Sequence, residues 1–341
     1  MARITITDIA RRAGVSTGAV SYALNDRPGV SKETRARILE IAAEMGWQPS
    51  SAARSLSGAK TETVGLVLAR DPSTLGVESF YMQFIAGIES ELQKRSYGLL
   101  LQVVPDQDSE LRTYRTWRAA RRVDGVVLVD PRVDDPRVAL LAEEDALPAV
   151  VVGDTTLAGG LPNVWTDDAA AIRESVRYLH AAGHRRIARI AGTEGYGHTL
   201  IRDEAFDDEV QRLGVHGVVA RTDYTPDQGA TATRSLLTSG DADRPTAFIY
   251  DNDVMALAGL GVAAELGLRV PDDLSIIAWD DSPLCEATFP RLSALSHDVT
   301  RFGAHVARRL FDRVDGKPGG SFLDSTPTLR PRGTTAPLRR G

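Results

Sequence analysis

The stretch Thr5–Gly46, TITDIARRAGVSTGAVSYALNDRPGVSKETRARILEIAAEMG, decides the reading of the N-terminus. Thr5-Ile6-Thr7-Asp8 fits a capping box, with Thr5 as N-cap and Asp8 reaching back. Ile6, Ile9, Ala10 and Ala13 then recur at helical spacing. Gly14 is placed to end that helix, because glycine tolerates a positive φ. Two residues on, Ser16 can cap a second helix. Ala19, Val20, Ala23 and Leu24 face inward there, and Thr17, Gly18, Ser21 and Tyr22 are left facing out. Asn25-Asp26-Arg27-Pro28-Gly29 is turn chemistry. Ser31 caps a third helix with Ile38, Ile41, Ala42 and Met45 on its apolar face and Gly46 at its end; Trp47 can cover the small core.

Helix, tight glycine turn and helix, with small residues at the crossing, read as a helix-turn-helix. The second helix would enter the major groove, and Thr17, Gly18 and Tyr22 would face base edges. A plain three-helix bundle is the alternative. Charge separates the two. The whole chain carries a net charge of −6, which points away from nucleic acid. Residues 1–60, however, hold nine Lys or Arg against five acids, or +4, leaving −10 on the rest. A basic head on an acidic body favours a phosphate-bearing partner.

The chain has 341 residues, 43% of them hydrophobic and 25% charged, a globular composition with room for two or three domains. One cysteine excludes a disulfide framework and a multi-thiolate metal site. No apolar run has the roughly 18 residues of a spanning helix, and the N-terminus lacks a secretory h-region. The expectation is a cytoplasmic protein with no membrane partner.

After Pro49, Ser50–Gly58 (SSAARSLSG) could form about two helical turns capped by Ser50. A lone helix that short is marginal in water. A segment that folds only on DNA suits a linker. Leu56 is its one large apolar residue, with two roles open: a wedge between minor-groove base steps, or a contact with the body.

From Thr63 onward, short apolar runs alternate with helical patterns. Strands are expected at Val64–Ala69, Leu99–Val104, Gly125–Val129, Ala149–Val152, Ile187–Ala191, Val215–Ala220, Ala247–Tyr250 and Ser275–Ala278. Helices lie between, among them Tyr81–Arg95, Ala169–Ala181, Thr225–Leu237, Asp253–Leu266 and Val299–Val314. Apolar strands joined by helices argue for parallel sheets covered on both faces. About 280 residues is long for one such sheet, so two lobes are expected. A ligand would bind at the strand carboxyl ends, in the cleft between them.

At Ile6–Leu68, without gaps, the sequence closely resembles the head and hinge of the lactose-repressor (LacI/GalR) family of bacterial transcription regulators. The resemblance continues through Gly183-His184-Arg185-Arg186-Ile187, Asp251-Asn252-Asp253, Val270-Pro271-Asp272-Asp273-Leu274, Trp279-Asp280-Asp281-Ser282 and Arg332-Gly333-Thr334-Thr335. It implies a homodimer on a pseudo-palindromic double-stranded operator and a hinge helix whose Leu56, paired with its partner's, opens the minor groove. It also implies a body like periplasmic sugar-binding proteins, with three chain crossings between lobes. Ser50 stands where many members have Asn, and Tyr22 where many have Arg or His, so the operator sequence cannot be copied from a relative.

The resulting DNA-contact set is Thr5, Thr7, Ser16, Thr17, Gly18, Ser21, Tyr22, Asn25, Ser31 and Thr34 in the head, with Ser50, Ala53, Arg54 and Leu56 in the hinge. For the ligand, Arg202 lies in Arg-Asp-Glu-Ala-Phe, matching the family's Arg-x-x-Gly-Phe. Its guanidinium can fork two donors onto hydroxyls or a carboxylate. A surface ion pair with Asp203, Glu204, Asp207 and Asp208 is the alternative. Asn252 and Asp280 come after expected strands. Asn252 offers donor and acceptor, Asp280 accepts from paired hydroxyls, and turn or N-cap duty suits Asp251 or Asp253 better. Phe80, Tyr81, Phe84 and Tyr224 match pocket positions or serve as packing, and His198 precedes Arg202 on a loop. Ala205 and Ala278 replace usual glycines.

Two patterns that look catalytic fail on context. Gly259-Leu260-Gly261-Val262-Ala263-Ala264 satisfies a dinucleotide pattern but lies within a helical stretch. His180 and His184 are separated by a helix-ending Gly183, Cys285 stands alone, and no metal site or cofactor is expected. No nucleophile elbow or zinc-protease motif occurs, so no enzyme is expected.

The expected architecture is a small all-α helix-turn-helix head (1–48), a hinge (49–60) and an α/β body (61–341) with two parallel-sheet lobes of periplasmic-binding-protein type. The N-lobe takes about 61–165 and 296–322, the C-lobe about 166–295 and 323–335. The expected function is a ligand-responsive transcriptional regulator, a repressor with a small effector such as a sugar. A sugar-binding protein without a regulatory role is the alternative.

Overall fold

The computed structural model describes residues 4–47, 60–70, 75, 78–240 and 244–338. The hinge assignments Ser50, Ala53, Arg54 and Leu56 lie outside the described residues. The chain divides into two compact units, Met1–Thr61 and Glu62–Gly341.

The first unit holds α1 (Ile6–Ala13), α2 (Thr17–Leu24) and α3 (Lys32–Glu44). The Asp8 carboxylate accepts from the Thr5 N–H at 3.0 Å and from its hydroxyl at 2.7 Å. These bonds hold Asp8 below the usual carboxylate range. Ser16 Oγ accepts from the Ala19 N–H at 3.1 Å, and Ser31 Oγ from the Thr34 N–H at 3.2 Å. Gly14 ends α1 at φ 64°, a conformation that costs other residues a Cβ clash. The core is Ile9, Ala10, Ala13, Val20, Ala23, Ile38 and Ala42, flanked by Leu24, Ile41, Met45 and Trp47. Ile6 does not join it and is 39% exposed. Side chains tilt toward a helix's N-terminus, so the first residue of α1 points past the end of the bundle.

The second unit is built on β1 (Thr63–Ala69), β2 (Gly98–Val104), β3 (Gly125–Leu128), β4 (Ala149–Val152), β5 (Asn163–Thr166), β6 (Arg186–Ala191), β7 (His216–Arg221), β8 (Ala247–Tyr250), β9 (Ser275–Trp279), β10 (Ser293–Ser296), β11 (Ser321–Ser325) and β12 (Thr328–Arg330). Among the described residues they form two six-stranded sheets, ordered β11-β5-β4-β3-β1-β2 and β12-β10-β9-β8-β6-β7. Every pairing is parallel except that of β12 with β10.

Helices cover both faces of each sheet, which is why the central strands are apolar throughout. In the first lobe, α4 (Ser79–Leu92) and α12 (Val299–Val314) pack on Val64, Leu66 and Leu68. On the other face, α5 (Gln107–Ala119) and α6 (Pro136–Leu141) bring Tyr114, Trp117, Val138 and Leu141 against Val67, Val126 and Leu128. In the second lobe, α9 (Pro226–Thr238) and α10 (Asp253–Glu265) cover one face, and α7 (Asp168–Ala181) and α8 (Gly197–Leu213) the other. The short α11 (Pro283–Ala287) follows β9. Helices α4 and α12 meet through glycines: a Cβ on Gly87 would stand 2.0 Å from the Thr300 carbonyl oxygen, and one on Gly303 2.1 Å from that of Phe84.

The chain passes between the sheets three times: after β5, after β10 and after β11. The third passage falls later than the expected boundary at 322. Leu323 pairs with Trp165 and Ser325 with Thr166, so β11 stays in the first sheet through Ser325. Strands β5, β10, β11 and β12 were absent from the expected set, because NVWT, SALS, SFLDS and TLR lack a β-branched apolar run. Strand β10 is nonetheless wholly buried. Its Ser293 hydroxyl lies 2.8 Å from Thr335 Oγ1 and accepts from the Arg332 N–H at 2.7 Å.

Candidate functional site

On the head, Thr5, Thr7, Ser16, Thr17, Gly18, Tyr22, Asn25 and Ser31 are exposed, whereas Ser21 and Thr34 are half-buried. Ser21 is set back, and its carbonyl accepts from Asn25 Nδ2 at 2.8 Å. Tyr22 is 45% exposed, with its ring edge over Gly29, where a Cβ would stand 3.1 Å from Tyr22 Cδ2. The turn beneath is braced by Arg35, which pairs with Asp26 and donates to the Arg27 carbonyl at 2.6 Å. Helix α2 thus offers Thr17, Gly18 and Tyr22 on a braced surface.

In the body, a cleft opens at the carboxyl ends of strands from both sheets, where open α/β folds bind ligands. Phe80, Tyr81, His198, Arg202, Tyr224, Asn252 and Asp280 all line it. Phe84 does not: it is wholly buried, stacked behind Phe80 at 5.7 Å and against Phe302 at 5.6 Å. Its helical spacing from Phe80 puts it one turn deeper, in the core.

Arg202 is not a surface ion pair with its neighbouring acids. It is 7% exposed and reaches Asp168 Oδ2 through both Nε and Nη2, each at 2.8 Å. Its guanidinium carbon lies 3.5 Å from the ring centroid of Trp279. Burial works against its charge, but Asp168 and Asp251 outweigh burial and raise its pKa.

The expected division of labour at Asp251-Asn252-Asp253 is also corrected. Asn252 is the N-cap of α10: its Oδ1 accepts from the Met255 N–H at 2.9 Å and its Nδ2 donates to the Tyr224 carbonyl at 3.0 Å. Asp251 instead grips Arg189 Nε at 3.0 Å and Nη2 at 2.6 Å and accepts from the Gly192 N–H at 3.1 Å. Asn has the cap geometry of Asp without its charge, and the buried Arg189 needs a charge opposite it.

Tyr81 and His198 are spoken for as well. The Tyr81 hydroxyl donates to Asp130 Oδ2 at 2.7 Å and accepts from Arg70 Nη2 at 3.0 Å. Arg70 closes the triangle onto Asp130 at 2.8 Å, and Arg137 holds the Asp130 carbonyl at 2.7 Å. His198 Nε2 lies 2.7 Å from Tyr224 Oη. Burial, then Arg202, pushes the His198 pKa down to about 4, so the ring is neutral near pH 7.

Residue-by-residue matching missed Arg70, Glu78, Asp130, Asp168, Trp279 and His297, all of which line the cleft. Five of the six stand at or within two residues of a strand's carboxyl end. That position, at the mouth of an open α/β sheet, is the signal that could have found them. Among the described residues, no group of three or more His, Cys, Asp or Glu is arranged to hold a metal ion. His184 is buried between Thr246 Oγ1 at 2.9 Å and Ser275 Oγ at 3.1 Å. Gly259 and Gly261 lie inside α10, away from any strand-to-helix turn. No helix of the described residues is long and apolar enough to cross a membrane.

Comparison with known proteins places both units. Residues 5–50 match the model of bacterial regulatory proteins of the lacI family, and residues 176–335 that of a periplasmic binding protein-like domain. The transcriptional regulator CelR of Thermobifida fusca is 31% identical over 92% of this chain and 93% of its own. A solved LacI-family transcriptional regulator from Bifidobacterium animalis is 39% identical, with TM-score 0.76 over 82% of this chain and all of its own. A solved CelR–cellobiose complex is 28% identical, with TM-score 0.73 over 97% of this chain and all of its own.

A helix-turn-helix head and a two-lobed ligand-binding body in one chain define the class of ligand-responsive, DNA-binding transcriptional regulators. The chain belongs to the lacI family of bacterial regulatory proteins.

Proposed function

We propose that this protein is a cytoplasmic repressor that binds a pseudo-palindromic operator as a homodimer and releases it when a polyhydroxylated ligand, a sugar, fills the body cleft. It works by binding alone and catalyses no reaction. Two α2 helices would enter successive major-groove half-sites, with Thr17, Gly18 and Tyr22 toward base edges and Thr5, Thr7, Ser16, Ser21, Asn25, Ser31 and Thr34 toward the backbone. The hinge residues Ser50, Ala53, Arg54 and Leu56 complete the contact set.

The observation that carries the reading is the cleft itself. Arg202, Asn252 and Asp280 converge where strands of two sheets end, with Phe80 and Trp165 in the same lining. Convergent donors and acceptors between aromatic walls suit hydroxyl-rich ligands. A relative solved as a cellobiose complex supports the same class. A ligand that binds one inter-lobe angle more tightly shifts the balance between operator-competent and released dimers by that differential affinity.

The test is retardation of DNA from upstream of the protein's own gene, titrated with salt and then with cellobiose and other sugars. A steep negative log–log salt slope, and release by at least one sugar, are expected. DNA binding that no sugar alters would refute the carbohydrate response, and absence of any specific DNA binding would refute the whole reading.

A further inference from the structure

Among the described residues, seven carboxylates line the cleft, against two guanidinium groups, those of Arg70 and Arg202. Pairing accounts for part of the excess. Asp130 is met by Arg70, Asp168 by Arg202 and Asp251 by the buried Arg189. Asp154 accepts from the Thr156 N–H and hydroxyl at 2.9 and 2.8 Å. Among the described residues Glu78, Asp253 and Asp280 have no ion pair of their own, although Glu78 keeps a side-chain hydrogen bond with Asn252 and Asp253 one with Ser282. Glu78 Oε2 and Asp253 Oδ2 are buried without a hydrogen-bond partner, and the Asp253 residue is only 2% exposed. The field at Asp280 includes attraction from Arg202 and repulsion from Asp253, Glu78 and Asp168.

A buried carboxylate oxygen without a partner is costly unless a cation or a proton meets it. No metal fits, because among the described residues no three acidic or imidazole groups are arranged to hold one. The three carboxyls come from three elements: the N-cap position of α4, the start of α10 and the residue after β9. A larger, organic cation could span such a set, and Phe80 and Trp165 are aromatic residues in the same lining.

We propose that the cleft selects a ligand carrying a basic nitrogen, an amino sugar or a related amine-bearing polyol, with its ammonium group received by Glu78, Asp253 and Asp280. The inference rests on the carbohydrate reading above and names the ligand class within it. Without a cationic ligand, burial above all pushes Glu78 up to about 7 and raises Asp253 and Asp280 as well. An ammonium placed among them would favour their charged forms against that burial.

The test compares matched pairs on the full-length protein by calorimetry and by operator release: D-glucosamine against D-glucose, and the β-1,4-linked glucosamine disaccharide against cellobiose. At least one amine is expected to bind tenfold or more tightly than its neutral match. Glu78→Gln is expected to bring that ratio toward one, and Asp280→Asn provides a second reading should Glu78→Gln fold poorly. Neutral sugars that bind and release operator as well as their amines would overturn this inference and leave the carbohydrate reading standing. Tenfold discrimination that survives both substitutions would overturn the assignment to these carboxyls. Failure of every member of both pairs to bind would overturn the inference and count against the carbohydrate reading together.

Discussion

Arg202 donates through Nε to Asp168 Oδ2 at 2.8 Å, with Nη2 also 2.8 Å from that oxygen, while its guanidinium carbon lies 3.5 Å from the Trp279 ring centroid. Asp168 opens α7, directly after the chain first leaves the N-terminal sheet. The residue matched to ligand recognition is therefore anchored to a passage between the lobes. Under the proposed function, a ligand that draws on Arg202 would compete with Asp168 at that passage.

Arg202→Ala is expected to remove the ligand response and to cost about 3–5 kcal/mol of stability, because it strands the Asp168 carboxylate. Urea denaturation reads the second effect, and sugar-dependent operator release the first. Pairing Arg202→Leu with Asp168→Leu separates them. The double variant should recover most of the stability, since both members of the buried pair are removed together, yet remain unresponsive. A double variant that still responds would move the ligand contacts away from Arg202.

Tyr22 carries the base-reading proposal, because it is the large exposed side chain on α2. Tyr22→Ala should change base preference at one or two symmetry-related operator positions, by about 1–3 kcal/mol each. Selection from a randomised operator library reads this directly. A uniform loss across all sequences would instead assign Tyr22 to the phosphate backbone.

Two glycines two residues apart in α10 should respond in opposite directions. A Cβ on Gly259 would stand 2.0 Å from Tyr250 Oη, which is itself held 2.8 Å from Thr233 Oγ1 in a buried site. A Cβ on Gly261 meets nothing within 4 Å. Gly259→Ala is expected to destabilise by about 1–3 kcal/mol through overpacking. Gly261→Ala is expected to stabilise by about 0.5–1 kcal/mol, since it only restricts the unfolded chain and improves helix propensity. Thermal unfolding of the two variants decides it, and equal shifts would mean that the close approach to Tyr250 is not a constraint.

These glycines also show what was legible in the sequence. Their helical context was readable from periodicity, which set aside a dinucleotide site; that Gly259 makes room for Tyr250, from a neighbouring strand, was not. The apolar strands announced themselves because both faces are covered. Strand β10 did not, since its buried Ser293 is satisfied by Thr335 and the Arg332 N–H, partners some 40 residues away. In the cleft, Arg202 and Asp280 came from residue matching. Asp168 and Arg70 did not, because a carboxylate or a guanidinium after a strand reads as an ordinary surface charge until the opposite lobe is built against it. The exchange of roles between Asp251 and Asn252 has the same origin, in the buried Arg189 that faces only one of them.

His184 gives a pH dependence whose sign can be worked out. The ring is wholly buried between Thr246 and Ser275, and burial pushes its pKa down to about 4 from 6.5. The unfolded chain binds the proton first as pH falls. The stabilisation carried by the neutral ring is therefore complete above pH 6.5, is lost progressively toward pH 4, and declines no further below that, where both states are protonated. The shift corresponds to about 3 kcal/mol. Glu78 and Glu110, raised by burial to about 7, gain protons in the folded state over part of the same window and act in the opposite sense. The wild-type curve alone therefore mixes the contributions, and the difference between wild type and His184→Gln cancels them. That difference in unfolding free energy, measured by urea titration at steps from pH 7.5 to 4, is expected to fall by about 3 kcal/mol between pH 6.5 and 4. A flat difference would show that His184 is either protonated in the folded state or free to reach water.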